Sequence, residues 1–246
     1  MNPCLARRSR HAPQQGTGRQ QRSCHHDRVE VSAGRVPRAF FDRDVTVVAA
    51  DLLGRVLVSG VGERRVAVRL TEVEAYAGRA DPASHSYRGR TPRTAVMFGP
   101  PGHLYTYFVY GMHWCANIVT GADGDASAVL LRAGEVVGGL DDARARRARA
   151  SRDHELARGP AALATVLGFD AGTNGADLCA ADGMVALYPG SPPRPAAVRN
   201  GPRVGVAAAA DAQQRFWIAD DPTVSAFRAW TPRRRAAGAG RVGGGS

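Results

Sequence analysis

The sequence contains no lysine, since all 33 basic residues in its 246 are arginine. An enzyme that forms a Schiff base through lysine, or a phosphate loop that requires one, is therefore excluded. Its four cysteines are scattered and form no CxxC pair, which argues against a disulfide framework. Cys24-His25-His26 has no second cluster at metal-ligand spacing, so we predict neither a metal nor a cofactor.

Long apolar runs are also missing. No stretch of about 18 apolar residues is present to span a membrane, and the first 38 residues lack the apolar centre of a signal peptide. The sequence therefore predicts a cytoplasmic protein, nucleoid-associated if prokaryotic, with no membrane partner.

The net charge of +11 lies mainly at the two ends of the chain. Residues 1–38 hold eight arginines and two acids, and residues 222–246 hold five arginines and no acid. Residues 39–221 balance 20 arginines with 20 acids. The ends favour salt-dependent attraction to phosphates, whereas the bulk charge says little about the middle.

Composition predicts a disordered basic tail over 1–35, one domain over 36–230 and a flexible Arg/Gly-rich tail over 231–246. Within the domain, strands dominate the middle, helices flank it, and no regular βαβ alternation occurs. We expect an α+β single domain with a mixed, mostly antiparallel sheet and flanking helices. The patterns indicate a helix ending at Gly54 with a strand after it, strands over 64–76, 103–121 (two, around Gly111) and 127–137, and a helix over 160–168. They also indicate a solvated helix in the Arg-rich segment that Asp141 and Asp142 open and that runs to Arg158.

Two carboxylates interrupt the strand "LTEVEAY". A period of two puts Leu70, Glu72, Glu74 and Tyr76 on one face, with the acids' Cα atoms about 6–7 Å apart. Such a pair is close enough for acid/base chemistry of the glycosidase kind. Alternatively, one or both acids form ion pairs with arginines such as Arg69 or Arg79. Spacing alone leaves the catalytic and the ion-pair interpretations open.

Two further segments carry chemistry. The loop that leads from Tyr76 to His85 and beyond is basic, with Asp81 as its single acid and four arginines: Arg79, Arg88, Arg90 and Arg93. In "GPPGHLYTYFVYGMHWCANI", Tyr105 and Tyr107 share a strand face, and Tyr110 and Met112 flank the turn at Gly111. Aromatic stripes usually pack in a core, but a hairpin tip of this kind also resembles a wedge that enters a base stack.

The motifs "TEVEAYAGRADPASHS", "RTPRTAVMFGPPGHLYTYFVYGMHWCANIV", "AVLLRA", "GPRVGV" and "RFWIADDPTVS" resemble those of the alkyladenine type of 3-methyladenine DNA glycosylase, also called methylpurine DNA glycosylase. The resemblance covers about residues 36–230 in consistent order. It implies a monomeric, monofunctional enzyme of base excision repair that acts on double-stranded DNA. The implied reaction flips an alkylated or deaminated purine (3-methyladenine, 7-methylguanine or hypoxanthine) out of the duplex and hydrolyses its N-glycosidic bond.

The same resemblance implies roles for individual residues. Glu74 corresponds to the general base that activates water, and Arg132 to an arginine that helps to hold the water. The resemblance implies that the hairpin around Gly111 inserts into DNA, with Tyr110 intercalating and Met112 beside it. The residues implied to hold the flipped base are Tyr76, His85, Tyr107 and Asn117, the last by disfavouring normal guanine.

This sequence departs from the family pattern at Thr94, where many members have Asn, and at His113, where an aromatic ring is usual. Two more residues separate Asn117 from Arg132 than in the mammalian pattern. The alternative from another class is a non-catalytic nucleic-acid-binding domain that uses the hairpin and basic loop. A carbohydrate glycosidase that uses Glu72 and Glu74 is disfavoured by that hairpin.

Overall fold

The computed structural model describes residues 34–60 and 64–231, and a single sheet organises them. The predicted N-terminal and C-terminal tails lie almost wholly outside the described residues. The helices are α1 (Arg38–Phe41), α2 (Val45–Leu52), α3 (Leu140–Arg146) and α4 (Pro160–Leu167). The strands are β1 (Val56–Ser59), β2 (Val66–Tyr76), β3 (Leu104–Val109), β4 (His113–Thr120), β5 (Ser127–Gly138), β6 (Val185–Tyr188), β7 (Val198–Gly201) and β8 (Arg215–Ile218).

Strand β2 is the centre of the sheet. The order is β3-β4-β5-β2-β1-β6, and β8 also pairs with β2 and with β7. Every strand pairing in the described part of the chain is antiparallel. One edge of β2 runs along β5, whereas the other edge pairs first with β1 over 66–69 and then with β8 over 72–74. The two acids of β2 thus lie where the sheet branches.

A β-bulge at the branch changes which residues of β2 face the core. The register against β5 shifts between Leu70 and Glu72 and again between Glu72 and Val73. An extra residue reverses the alternation of a strand. Upstream, Leu70 belongs to the main core; downstream, Val73 belongs to it while Glu72 and Glu74 share contacts with one guanidinium. The prediction that Leu70 shares a face with the acids is therefore wrong, because strict alternation does not hold across a bulge.

Helices α2 and α4 cover one face of the sheet and form the main core. Asp44 caps α2, since its side chain accepts hydrogen bonds from the backbone N–H groups of Thr46 and Val47. Pro160 begins α4, and Gly168 ends it at a φ of +70°. Apolar residues of both helices, such as Leu52 and Leu163, are buried with the β2, β4 and β5 side chains that point towards them.

The Arg-rich segment is helical only at its start. Helix α3 ends at Arg146, and a single 3-10 turn at Asp153–Glu155 follows. Asp141 and Asp142 do lie in the first turn of α3, as the helix dipole favours. Beyond them the run of alanine and arginine offers no apolar stripe to bury, and packing of such a stripe supplies most helical stability.

The remaining helices and strands that the sequence predicts agree with the fold. The helix before Gly54, the strand pair around Gly111, the strand over 127–137 and the helix from Pro160 are all present, and the α+β class is confirmed. Across the two described ranges, 34–60 and 64–231, no helix combines the length and apolarity needed to traverse a bilayer.

Candidate active site

The face of the sheet opposite the helices carries a pocket of about 400 Å³. Four neighbouring strands contribute a row of paired residues, in which Glu74 lies opposite Leu130, Leu130 opposite Asn117, and Asn117 opposite Tyr105. A volume of this size is typical of small-ligand sites. Its lining includes Glu74, Tyr76, His85, Tyr105, Tyr107, Tyr110, Cys115, Asn117, Arg132 and Val204.

Three donors hold the Glu74 carboxylate, whose side chain is fully buried. The backbone N–H of Val204 donates to Oε1 at 2.7 Å, and the hydroxyl of Tyr76 donates to Oε2 at 2.9 Å. The Nη1 of Arg132 lies 3.2 Å from Oε1. The carboxylate therefore has a fixed orientation, and Glu74 lines the pocket.

Glu72 has a different environment beneath this wall. Its Oε1 accepts hydrogen bonds from Nε of Arg132 and Nε of Arg215, each at 2.8 Å, and from Oγ of Ser225 at 2.9 Å. The Ser225 backbone N–H donates to Oε2 at 2.7 Å. Burial acts to raise the pKa of Glu72, but the two guanidinium charges and the Ser225 hydrogen bonds outweigh it and hold that pKa below its usual value.

The two acids therefore differ in what they can do. Glu72 is enclosed by protein donors, whereas Glu74 borders the cavity. The predicted pairing of the acids with arginines occurs, but through Arg132 and Arg215. Arg69 instead contacts Glu135 and Asp221, at 2.8 Å each. Arg132 joins the acids because its guanidinium contacts both of them.

A second buried ion pair, between Arg203 and Asp81, packs against the ring of Tyr76. The guanidinium carbon of Arg203 lies 4.5 Å from the centroid of the Tyr76 ring. Arg203 also donates from Nη1 and Nη2 to the two carboxylate oxygens of Asp81, and from Nη1 to the carbonyl of Ala75. Burial and the neighbouring Glu74 raise the pKa of Tyr76 well above its usual value, so the phenol stays protonated and donates to Glu74.

His85 and two tyrosines form a second aromatic part of the pocket wall. The His85 ring meets Tyr107 edge-on, with centroids 4.5 Å apart at 82°. Tyr105 and Tyr107 stack at 5.5 Å, as their shared strand face predicts. Partial burial, with the charge of Arg93 as a smaller cause, lowers the pKa of His85 and favours the neutral imidazole. The predicted grouping of Tyr76, His85 and Tyr107 around one cavity is present, although Tyr76 stacks on Arg203 rather than on either ring.

Asn117 and Cys115 complete the part of the wall that β4 supplies. Asn117 is buried, and its Nδ2 donates to the carbonyl of Tyr105 at 3.3 Å. Burial raises the pKa of the Cys115 thiol, so it is a neutral, weakly polar group in the wall.

The β3–β4 hairpin projects its tip at the pocket mouth. Tyr110 and Met112 are 79% and 67% exposed, and Tyr110 also lines the pocket. The turn has positive φ at both central residues, +54° at Tyr110 and +67° at Gly111, and the Met112 N–H donates to the carbonyl of Val109. A tyrosine is rarely found at positive φ, and such strained positions cluster at functional sites.

Sequence reasoning missed four residues of the site: Asp81, Arg203, Arg215 and Ser225. Three of these lie in "GPRVGV" and "RFWIADDPTVS", two of the motifs that carry the family resemblance, but no local pattern assigned them a role. Each acts through a partner more than 100 positions away in the chain. Within residues 34–60 and 64–231, no cluster of three or more His, Cys, Asp and Glu side chains is arranged to hold a metal ion; Cys24-His25-His26 lies outside those ranges.

Comparison with known proteins identifies the class to which this fold and site belong. The family described as methylpurine-DNA glycosylase matches residues 39–222. A protein of Streptomyces avermitilis named "Putative 3-methyladenine DNA glycosylase" is 56% identical over 200 residues, covering 80% of this chain and 94% of its own. Proteins of the same name from Nocardia farcinica (52% over 190 residues, 75% and 88%) and Burkholderia lata (49% over 191 residues, 77% and 90%) are also similar.

A similarity that covers three quarters or more of the chain places the protein among the DNA glycosylases, which are enzymes. Within that class, the chain belongs to the methylpurine-DNA glycosylase family.

Proposed function

We propose that this protein is a monofunctional glycosylase that removes alkylated or deaminated purines from double-stranded DNA, and that Glu74 is its general base. The observation that carries the proposal is the position of Glu74: a fully buried carboxylate, oriented by three donors, at the wall of an aromatic pocket. Burying a charged carboxylate costs free energy, so a buried carboxylate that borders a pocket is a candidate catalytic group.

The reaction follows from these groups. As the bond between C1′ and the purine nitrogen breaks, its electron pair leaves with the base and the sugar gains oxocarbenium character. Water attacks C1′ while Glu74 accepts its proton, which yields an abasic sugar and the departed base. An alkylated, cationic purine leaves as a neutral base, whereas hypoxanthine leaves as an anion that takes up a proton from solvent. The carboxylate also stabilises the positive charge that develops on the sugar. We propose that Arg132, whose Nη1 lies 3.2 Å from Oε1 of Glu74, helps to hold the attacking water.

The aromatic walls suit a planar base. Tyr76 on one side and the His85–Tyr107 pair on the other offer π-faces to a flipped purine. An alkylated purine is a cation, so electron-rich rings attract it and it leaves readily as a neutral base. The Asn117 side chain, in the pocket wall, is the group we expect to exclude the exocyclic amino group of guanine.

The hairpin tip supplies the means of flipping. We propose that Tyr110 enters the base stack in place of the extruded nucleotide, with Met112 beside it. Flipping costs a few kcal/mol and is cheapest for a damaged, poorly paired base, so it adds selectivity. Exposed Arg93 and its neighbours in the basic loop are suited to contact phosphates at the same mouth.

Single-turnover excision from duplexes that hold 3-methyladenine, 7-methylguanine or hypoxanthine tests the proposal. We expect Glu74→Gln to lower the rate by about 10²–10⁴-fold, the usual contribution of a general base. Glu135→Gln is the matched control, because Glu135 is a half-exposed acid paired with Arg69 outside the pocket. Release of no base by the native protein, or native rates with Glu74→Gln, would refute the proposal.

A non-catalytic DNA-binding domain is the competing function, and the same experiment separates the two. A binding domain gains nothing from a carboxylate near polyanionic DNA, because that charge repels phosphates. If Glu74 is the general base, Glu74→Gln should bind damaged duplex at least as tightly as the native protein while releasing base about 10²–10⁴-fold more slowly. Weaker binding by this variant would count against a purely chemical role for Glu74.

A further inference from the structure

We propose that the Arg203–Asp81 pair behind Tyr76 sets the preference of the pocket between cationic and neutral bases. The inference rests on the proposed function and concerns which lesions that site accepts. Arg203 lies within "GPRVGV", a motif for which sequence analysis gave no role.

The first step is the geometry around the Tyr76 ring. Tyr76 borders the cavity, whereas Arg203 does not, and the Arg203 side chain has no exposed surface. Its guanidinium carbon lies 4.5 Å from the ring centroid. The guanidinium therefore covers a ring face turned away from the pocket, and a base that stacks on Tyr76 must use the opposite face.

The second step is the effect of that cation on the ring. The face of an aromatic ring attracts cations because the ring quadrupole places negative charge there. A guanidinium on one face already uses this attraction and presents positive charge to whatever lies on the other. Tyr76 backed by Arg203 is thus a weaker cation receptor than a bare tyrosine, and it favours a neutral base.

Asp81 limits this effect. Its two oxygens accept from Nη1 and Nη2 of Arg203, and its own side chain is almost fully buried. Burial acts to raise the pKa of Asp81, but the hydrogen bonds and charge of Arg203, with two backbone donors, lower it, so the pair carries no net charge. The arrangement is a dipole whose positive end touches the Tyr76 ring.

The size of the effect follows from the distances. A stacked base centred about 4.5 Å beyond the ring lies about 9 Å from the guanidinium. Two unit charges at that distance, at an effective dielectric constant of about 20, change an equilibrium by about 20-fold. Because Asp81 offsets much of this, we expect removal of the pair to change the preference by about three- to tenfold.

The measurement is the ratio of single-turnover excision rates for 7-methylguanine, a cationic lesion, and hypoxanthine, a neutral one, in otherwise identical duplexes. The charge-neutral double variant Arg203→Gln/Asp81→Asn should raise this ratio about three- to tenfold. Asp81→Asn alone leaves the Arg203 charge uncompensated and should lower the ratio. Arg203→Lys keeps a cation behind the ring and is the control, with a ratio within about twofold of the native value.

A purely structural role predicts something else. Val204 follows Arg203 and donates to Glu74, so a displaced segment would slow both reactions alike and leave the ratio unchanged. An unchanged ratio in both Asp81→Asn and the double variant, or a shift of both in one direction, would overturn the inference. If the double variant does not fold, as judged by thermal unfolding, the excision ratios of Asp81→Asn and Arg203→Lys are compared instead. The inference then requires a lower ratio in Asp81→Asn and a near-native ratio in Arg203→Lys. Absence of any release by the native protein would instead refute the proposed function.

Discussion

Glu72 offers a sharp test of how the site is held together. It makes no contact with the cavity, yet its carboxylate accepts four hydrogen bonds in a fully buried position, two of them from the guanidinium groups of Arg132 and Arg215. Glu72→Gln keeps the shape of the side chain and removes the charge. Both guanidinium groups then lose their shared anion without gaining access to water.

The cost is estimated from the general behaviour of buried ion pairs. Removing one partner of a buried pair costs about 3–5 kcal/mol because the other charge is left uncompensated. Arg132 retains Glu74, and Arg215 retains the carbonyl of Ser225, so we take the lower end, about 3 kcal/mol. For a protein of this size each kcal/mol lowers Tm by about 2–4 °C, which predicts a fall of about 6–12 °C.

Thermal unfolding followed by circular dichroism measures this loss. Asp153→Asn is the control, because it breaks the solvent-exposed contact with Arg144 and should leave Tm nearly unchanged. A double-mutant cycle sharpens the reasoning: if the uncompensated charge causes the loss, adding Arg215→Met to Glu72→Gln should cost less than the sum of the two single variants. Strictly additive losses, or a Tm change for Glu72→Gln as small as that of the control, would show that the buried cluster does not depend on the Glu72 charge.

Two further predictions concern pH and the hairpin. The folded-state pKa values of Glu72 and Asp81 lie below their ordinary values of 4.5 and 3.8. As pH falls, these two carboxylates therefore bind protons in the unfolded chain before they do so in the folded protein. The stability that they contribute is present above about pH 4.5 and is lost as pH falls below it. His85, whose pKa lies below 6.5, lowers stability in the same direction as pH falls below 6.5, so urea unfolding from pH 7 to pH 3 should show a steady decline, and Glu72→Gln should flatten its acid limb. At the hairpin tip, Tyr110→Gly should be more stable than Tyr110→Ala by about 1 kcal/mol, because glycine accepts the φ of +54° without strain. Both variants should reduce the stopped-flow fluorescence signal of flipping more than Glu74→Gln does; native-like flipping by either would contradict the intercalating role.

Much of the fold could be read from the sequence because its signals are local. Period-two alternation marked the central strands, and Gly54, Pro160 and Gly168 marked the ends of helices where their backbone preferences place them. The prediction of a helix throughout the Arg-rich segment was wrong beyond Arg146, because that part of the segment has no apolar stripe to pack against the core. The bulge at Leu70–Val73 was invisible, since an extra residue in a strand changes the pairing register and leaves no local composition signal.

The site shows the same division. The sequence by itself determined that Glu74, Tyr76, Tyr107 and Asn117 belong to recognisable motifs, and that lysine chemistry is excluded. The family resemblance already implied that Glu74 is the general base; only the tertiary structure decided, in physical terms, why this acid and not Glu72 faces the cavity. That choice depends on Arg215 and Ser225, which enclose Glu72, and on the Val204 N–H, which orients Glu74 from 130 positions away. The physical reason is that a carboxylate's role depends on its charge partners and its access to ligand, and a sheet assembles both from distant strands.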